Sequence, residues 1–514
     1  MSNDASSSAS QEAPAETQHD AATGVYATRQ WVGLLAGALV FAVLLLTPPP
    51  EGLGLPGWRA AAVGALMAIW WISEALPIPA TALLPVVLFP VLGVSSIAAT
   101  TAPYASPLIF LFLGGFLIAI AMERWNLHRR IALRTIAFVG TSPRRIIGGF
   151  MVAAAFLSMW ISNTATAMMM LPIGLSVVDL ARSNASAQPT HVGGFAVALM
   201  LSIAYACNIG GMGTLIGTPP NALLAGFLAE TYGTEVGFAQ WMGLGVPMVL
   251  VGLPLAYVVL TRGLFTLDQV ELVGGAALVK RELERLGHLS RAERLVGVVF
   301  GTVALLWMTR PLLSTVVPGL SDAGIAIFGG VVLFLLPVNL ARGQFVLDWE
   351  AAQKLPWGVL LLFGGGLSLA GAIERTGLAT WIGEGLSVVG GLPILLTVMI
   401  VATAIILLTE VTSNTATAAA FLPIMASVAV GIGENPFLLI VPVALAASAA
   451  FMLPVATPPN AVVFGSGDVT IPEMARAGVW LNLLFVALIT LSAYVLAPLV
   501  FGVEFGVVPG WAGG

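Results

Sequence analysis

Residues Ser162 to Ala167 read SNTATA, and the same six residues recur from Ser413 to Ala418, 251 positions later. Leu-Pro-Ile follows each copy at the same distance, as Leu171 to Ile173 and Leu422 to Ile424. Glu123-Arg124 and Glu374-Arg375, each closing a glycine-containing apolar run, are separated by the same 251 positions, so a long segment is duplicated as a unit. A second paired motif, TPPNA at Thr218 to Ala222 and at Thr457 to Ala461, is 239 positions apart, which means that only the connection between the motifs has shortened.

The surrounding chain is very apolar. Hydrophobic residues make up 58% and charged residues 9% of it, against roughly 25% charged in soluble domains. That composition implies a polytopic membrane protein, with lipid as its surroundings and no nucleic-acid partner expected. Many apolar segments reach about 20 residues, enough to cross a hydrocarbon core of about 30 Å. The single cysteine, Cys207, excludes an intramolecular disulfide and any CxxC motif. A membrane-embedded enzyme would need a nucleophile or metal ligands facing one another in the spans, but His19, His128, His191 and His288 all fall outside them. No enzymatic activity and no resident cofactor are expected.

In chain order, residues 1–28 are rich in Ser, Ala, Glu and Gln and form an expected disordered cytoplasmic tail. The first Arg is Arg29 and the first apolar run begins near Trp31, so residues 29–57 hold a retained first span and no secretory signal. Further spans fall near 60–76, 79–95, 106–122, 193–231, 241–263, 294–313, 323–340, 356–373, 437–466 and 478–503. Two other stretches, 147–182 and 391–432, carry SNTATA near their middles and are drawn as re-entrant hairpins. With the N-terminus cytoplasmic and the C-terminus extracytoplasmic, all 20 Lys and Arg except Arg59, Arg310 and Arg375 then lie on the cytoplasmic side, as the positive-inside rule requires. Drawing either hairpin as a single crossing would send several basic loops outside.

This drawing gives each half five crossings and therefore opposite orientations. The expected units are a first repeat over 58–263, a cytoplasmic linker over 264–293, a second repeat over 294–505 and a tail over 506–514. The fold class expected is an all-α polytopic membrane protein with about 11 transmembrane helices, two re-entrant hairpins and an inverted repeat. Inverted repeats with discontinuous helices near the midplane are the plan of secondary transporters.

The motifs carry their own chemistry. Each SNTATA clusters a hydroxyl, an amide and a second hydroxyl where a hairpin turns inside the bilayer, exposing backbone groups that only protein, water or ligand can satisfy. Ser158 and Thr409, four residues before Ser162 and Ser413, lie one helical turn away on the same face. Two similar cages of neutral oxygens result; with no carboxylate to titrate in either, they favour Na+ over a proton. The bland alternative is hydrogen bonding between neighbouring helices, each bond contributing about 0.6 kcal/mol. Gly210, Gly211, Gly213 and Gly217 precede Thr218-Pro219-Pro220, and the two prolines interrupt helical hydrogen bonding, which frees carbonyls for a cation. The restarted helix offers its N-terminal N–H groups to an anion. Glu74 and Glu410 read either as proton sites or as structural residues near span ends, Glu123-Arg124 and Glu374-Arg375 as helix-terminal ion pairs, and the Arg clusters as topology determinants.

SNTATA twice, WWISEALPIPATALLPVVLFPVLG from Trp70 to Gly93, and IGTPPNA with VATPPNA together resemble the divalent anion:sodium symporter family, the INDY-like carriers of dicarboxylates, tricarboxylates and sulfate. The resemblance covers about residues 30–505. It implies a homodimer in the inner or plasma membrane, each protomer divided into a scaffold and a mobile domain that carries substrate by an elevator motion. Family sodium sites fall on Ser158, Ser162, Asn163 and Gly217, and on Thr409, Ser413, Asn414 and Ala456. Substrate positions fall on Asn163, Thr164, Thr218, Asn414, Thr415, Thr457 and Pro458. The activity expected is sodium-coupled symport of a small dianionic carboxylate such as succinate, malate or fumarate. Citrate or sulfate carriage, and dicarboxylate exchange, are the alternatives within the family.

Overall fold

The computed structural model describes residues 28 to 512 except 141, 185 to 188, 266, 268 to 273 and 386 to 391. The expected N-terminal tail lies, apart from residue 28, outside the described residues, as does part of the linker. Among the described residues the regular structure is helical, apart from an antiparallel ribbon of Pro337–Asn339 with Gln344–Phe345. That ribbon ends the span drawn over 323–340 earlier than expected: the helix Asp322–Leu335 stops before Pro337, which has no N–H to continue it. Ten described helices are long and apolar enough to cross a membrane, and four shorter apolar ones, Ile78–Val91, Asp322–Leu335, Ile394–Thr409 and Phe437–Ala447, accompany them.

The duplication in the sequence is matched by the helix boundaries. Pro143–Ser158 and Asn163–Asn184 correspond at 251 positions to Ile394–Thr409 and Asn414–Gly431. Leu127–Val139 corresponds likewise to Leu378–Gly385. In each hairpin the first helix has 16 residues, a length of about 24 Å at 1.5 Å per residue, short of the hydrocarbon thickness. The helix is interrupted across residues 159 to 162 or 410 to 413, and the chain continues as the second helix. Ser162 and Ser413 begin those second helices, their hydroxyls accepting from the N–H of Ala165 at 3.1 Å and of Ala416 at 3.4 Å. This is the ordinary work of an N-terminal serine.

Two interrupted helices complete the pattern. Pro189–Gly211 gives way to an irregular segment before Pro219–Tyr232, and Phe437–Ala447 gives way to another before Pro458–Phe464. Val192–Gly211 is apolar on all sides and buried along nearly its whole length, whereas Thr28–Leu46 sits at the periphery. Gly210 lets the central helix press against the first hairpin, because a Cβ there would collide with the Ala155 backbone.

Charged residues outside the core tie elements together. Arg310, one of the three basic residues drawn off the cytoplasmic side, pairs with Asp322 at 3.0 Å and Glu235 at 3.1 Å. Arg59 donates to the Leu92 carbonyl at 2.6 Å. The expected Glu123-Arg124 pair does not form. Arg124 reaches Asp348 at 2.5 Å, while Trp125 donates to the Val346 carbonyl at 2.7 Å, so the end of Pro107–Arg124 docks the segment after the ribbon. Adjacent helical residues point in different directions, which leaves neighbours in sequence unable to pair.

The Arg124 guanidinium holds the Asp348 carboxyl below its ordinary range. A depressed carboxyl pKa contributes stability that is present above the unfolded value, about 3.9, and is lost as pH falls through the folded value. Because Asp348 is half exposed, the effect is under about 1 kcal/mol. Asp348→Asn is expected to lower the melting temperature slightly at pH 7, with the gap to the native protein closing as pH falls below the ordinary aspartate value of about 3.9.

Candidate functional site

The duplicated motifs meet in one cavity of about 1120 Å³. Ser162, Asn163 and Thr164 of the first hairpin and Ser413, Asn414 and Thr415 of the second line it. So do Gly217 and Thr218 from the first helix break, and Ala456, Thr457 and Pro458 from the second. Of the residues expected in the site only Ser158 and Thr409 lie off the cavity surface, both fully buried directly behind the turns. They are joined to it: the Ser158 hydroxyl donates to Asn163 Oδ1, and the Thr409 hydroxyl donates to Asn414 Oδ1 at 2.7 Å. Each side of the site is therefore a hydroxyl, an amide oxygen and a turn serine in succession, the same arrangement built twice.

The helix breaks supply backbone oxygen, but fewer free carbonyls than the glycines and prolines suggest. In the first break Asn221 Nδ2 sits within hydrogen-bonding distance of the Gly211, Met212 and Thr214 carbonyls, at 3.1, 3.4 and 2.8 Å. In the second, Asn460 Nδ2 takes the Ala450 and Leu453 carbonyls at 3.3 and 3.1 Å. The asparagine of TPPN thus closes the break that its own prolines open. What remains is specific: among the described residues no hydrogen bond is made to the carbonyl of Gly217 or of Ala456. The residues three positions on, Pro220 and Pro459, have no N–H to give, and the N–H groups four positions on are spent elsewhere, that of Asn221 on the Thr218 carbonyl and that of Asn460 on Thr457 Oγ1, each at 3.3 Å. Both are residues expected to ligate a cation. The first break is tight enough that a Cβ on Gly211 would meet Asn163 Oδ1 at 2.8 Å and the Gly217 carbonyl at 3.1 Å, so glycine there lets these oxygens approach.

The two breaks are cross-linked by a residue that sequence reasoning missed. Asn208, one turn before the first break, donates its amide to Thr457 Oγ1 at 3.1 Å, with Asn460 Oδ1 and the Ala450 carbonyl at 3.3 Å. Thr218 and Ser448 make the reciprocal contact at 3.4 Å. A lone amide in the apolar run Ala206-Cys207-Asn208-Ile209 was the available signal.

Of the two expected readings of Glu410, its contacts support the structural one. It caps the end of Ile394–Thr409, where the second SNTATA turn begins, and is 3% exposed. Its carboxylate accepts from the successive N–H groups of Phe451, Met452 and Leu453 at 2.8 to 3.1 Å and from Asn482 Nδ2 at 2.8 Å. Three consecutive N–H groups form an anion-binding concavity, and here the anion is built in. It holds the segment that leads to Ala456. The position matching Glu410 in the first half is Met159, whose carbonyl accepts from Thr214 Oγ1 at 2.5 Å. The two sides therefore share their oxygen donors but differ in what braces them.

Motif residues lining the cavity carry no charge. The charged lining residues, Arg29, Glu74, Glu123 and Lys354, belong to other elements. Arg29 pairs with Glu74 at 3.2 Å, both about half exposed at the mouth, and donates to the Val411 carbonyl in the turn of the second hairpin at 3.2 Å. Pro107–Arg124 adds Phe112, Phe116, Ala119 and Ile120 to the lining, with Glu123 at its end, so the motif donors come from the hairpins and breaks and this helix contributes a mostly apolar surface.

Neutral oxygen donors in two matched sets, facing one cavity large enough for a small anion, suit hard monovalent cations with an anion between them. The profile of the sodium:sulfate symporter transmembrane region matches residues 28 to 502. The chain belongs to the sodium:sulfate symporter family. Among curated relatives it is 46% identical over 485 residues to the sodium-dependent dicarboxylate transporter SdcS of Staphylococcus saprophyticus and 45% identical to SdcS of Staphylococcus aureus, with 93% of each chain covered in both cases. Among solved structures it resembles the YdaH transporter of Alcanivorax borkumensis, with a TM-score of 0.56 and 15% identity over 87% of this chain and 98% of that one. It also resembles MtrF of Neisseria gonorrhoeae, with a TM-score of 0.50 and 12% identity over 92% and 96%. At these identities the likeness extends to the fold alone. The protein is an integral, multi-pass membrane transporter of the symporter family.

Proposed function

We propose that this protein carries a C4-dicarboxylate such as succinate, malate or fumarate across the inner or plasma membrane, coupled to Na+ moving in the same direction. The observation that carries the reading is the convergence of both SNTATA copies and both TPPN breaks on one cavity, with neutral oxygens at every motif position. Na+ is held by Ser158, Ser162, Asn163 and the Gly217 carbonyl on one side, and by Thr409, Ser413, Asn414 and the Ala456 carbonyl on the other. The dianion lies between them, against Asn163, Thr164, Thr218, Asn414, Thr415, Thr457 and Pro458. With no Arg, Lys or His among these positions, the bound cations supply its counter-charge, so substrate and Na+ bind cooperatively. The relatives named sodium-dependent dicarboxylate transporters, nearly half identical over 93% of the chain, support this choice of substrate.

The donors all belong to the hairpins, the breaks and the helices packed on them, and share the cavity with a mostly apolar surface from Pro107–Arg124. That division supports an elevator motion in which the first group slides past the second, carrying the site with it. On the positive-inside drawing the N-terminus is cytoplasmic, the C-terminus extracytoplasmic, and the two repeats over 58–263 and 294–505 are inverted. Arg29 and Lys354 then put the cavity mouth on the cytoplasmic side. The functional unit is a homodimer.

Uptake of labelled succinate into proteoliposomes of the purified protein, with an inward Na+ gradient and a matched K+ control, tests the reading. Saturable uptake that requires Na+ and is competed weakly by citrate and sulfate is the expected result. Uptake that requires internal dicarboxylate instead makes the protein an exchanger, and transport of sulfate or citrate without succinate overturns the substrate.

A further inference from the structure

A second cavity, of about 360 Å³, lies away from the site, between Leu127–Val139 and the start of Arg291–Leu313. Its inner end is electrically closed. Arg130 and Glu293, both 4% exposed, pair at 2.6 Å, and Arg130 also donates to the Gly287 and Leu286 carbonyls at 2.9 and 3.0 Å. Glu293 is further occupied by the N–H of Ser290 at 2.7 Å in the capping box that begins Arg291–Leu313. The outer end is not closed. Arg134 and Arg294 line the same cavity, both exposed, and among the described residues neither side chain has an ion pair or hydrogen bond. Two guanidinium groups thus share one groove in which, among the described residues, the one lining carboxylate is already consumed.

The surface around that groove is apolar. Val298, four residues along the helix from Arg294, is 67% exposed and lines the cavity; Phe138, four residues from Arg134, is 92% exposed. Leu305, a further two turns along from Val298, is also more than half exposed. Arg294 is the fourth residue of a 23-residue membrane-crossing helix, which puts it at the depth of lipid headgroups. Basic pockets between membrane helices are suited to anionic headgroups, and guanidinium matches phosphate in a bidentate manner.

We propose that this groove binds the phosphate of an anionic phospholipid between Arg134 and Arg294, with the acyl chains running along the Val298 face. The lipid would bridge the helix that leads into the first hairpin and the first helix after the linker, two elements otherwise joined here by the Arg130–Glu293 pair.

Native mass spectrometry of the full-length protein, released from detergent micelles with equimolar phosphatidylglycerol and phosphatidylcholine, tests this. The native protein should retain phosphatidylglycerol at least about 5-fold over phosphatidylcholine, and Arg134→Gln/Arg294→Gln should lose that preference. Arg134→Lys/Arg294→Lys, which keeps the charge, should retain most of it, and Arg281→Gln, a basic residue outside the groove, should match the native protein. Glycerol phosphate, the headgroup without chains, should not displace the lipid at equal concentration. Equal retention of phosphatidylglycerol by the native protein and the double Gln variant overturns the proposal, as does equal retention of the two lipids by the native protein. Displacement by glycerol phosphate would make the groove a site for a free anion and overturn the lipid assignment.

Discussion

Replacing Glu410 with alanine is expected to abolish transport and to cost about 4 kcal/mol or more of stability. Three backbone N–H groups and the Asn482 amide would lose their acceptor in a buried place, and each unsatisfied buried donor costs roughly 1–3 kcal/mol. The damage falls on the segment that carries Ala456 and Thr457 into the site, so geometry fails along with stability. Glu410→Gln retains the shape but turns an amide donor toward N–H donors, and should give an intermediate loss of melting temperature. Uptake per folded protein and thermal unfolding, measured on the same preparations, check both effects. A Glu410→Ala variant that melts and transports like the native protein would remove the bracing role.

Asn163→Ala and Asn414→Ala are expected to raise the Na+ concentration for half-maximal uptake at least about 10-fold, equivalent to about 1.4 kcal/mol. Each substitution deletes an amide oxygen assigned to Na+ and frees the hydroxyl of Ser158 or Thr409 that it anchors. Substrate affinity should fall as well, since cation and dianion share these residues. The readout is the Na+ dependence of succinate uptake at several substrate concentrations. If both variants keep the native Na+ dependence, the oxygen cages are wrongly assigned; unchanged Na+ affinity with weakened substrate binding would make the two asparagines substrate ligands alone.

The parts legible in the sequence were those written twice. Because Ser158 and Thr409 stand at equal distances before equal motifs, the hairpin turns, their flanking hydroxyls and the helix breaks could be aligned from spacing alone, and the helix ends follow that spacing. Composition was enough for the membrane-spanning class. What stayed hidden depends on partners distant in sequence. Glu410 meets a segment 41 to 43 positions away whose residues, Phe451, Met452 and Leu453, advertise nothing because only their backbone takes part. Arg124 selects Asp348 over its neighbour Glu123, a choice made by side-chain direction on a helix. The apolar wall of Phe112 and Phe116 was equally unreadable, because periodicity does not distinguish an aromatic facing a cavity from one facing lipid. Asn221 and Asn460 sat inside quoted motifs, yet their work of taking up the loose carbonyls needed the folded break to be seen.

The open carbonyls of Gly217 and Ala456 owe their availability to Pro220 and Pro459, which have no N–H, and to Asn221 and Asn460, whose N–H groups are turned to Thr218 and Thr457. A backbone ligand of this kind is fixed by the fold of the break: it has no rotamer of its own to withdraw it and no protonation masks it. In an elevator motion the coordination sphere would then travel as a fixed object, presenting the same affinity at both faces of the membrane. A carrier of that kind has no intrinsic direction, and the sign of net flux is set wholly by the ion and solute concentrations on the two sides and by the membrane voltage.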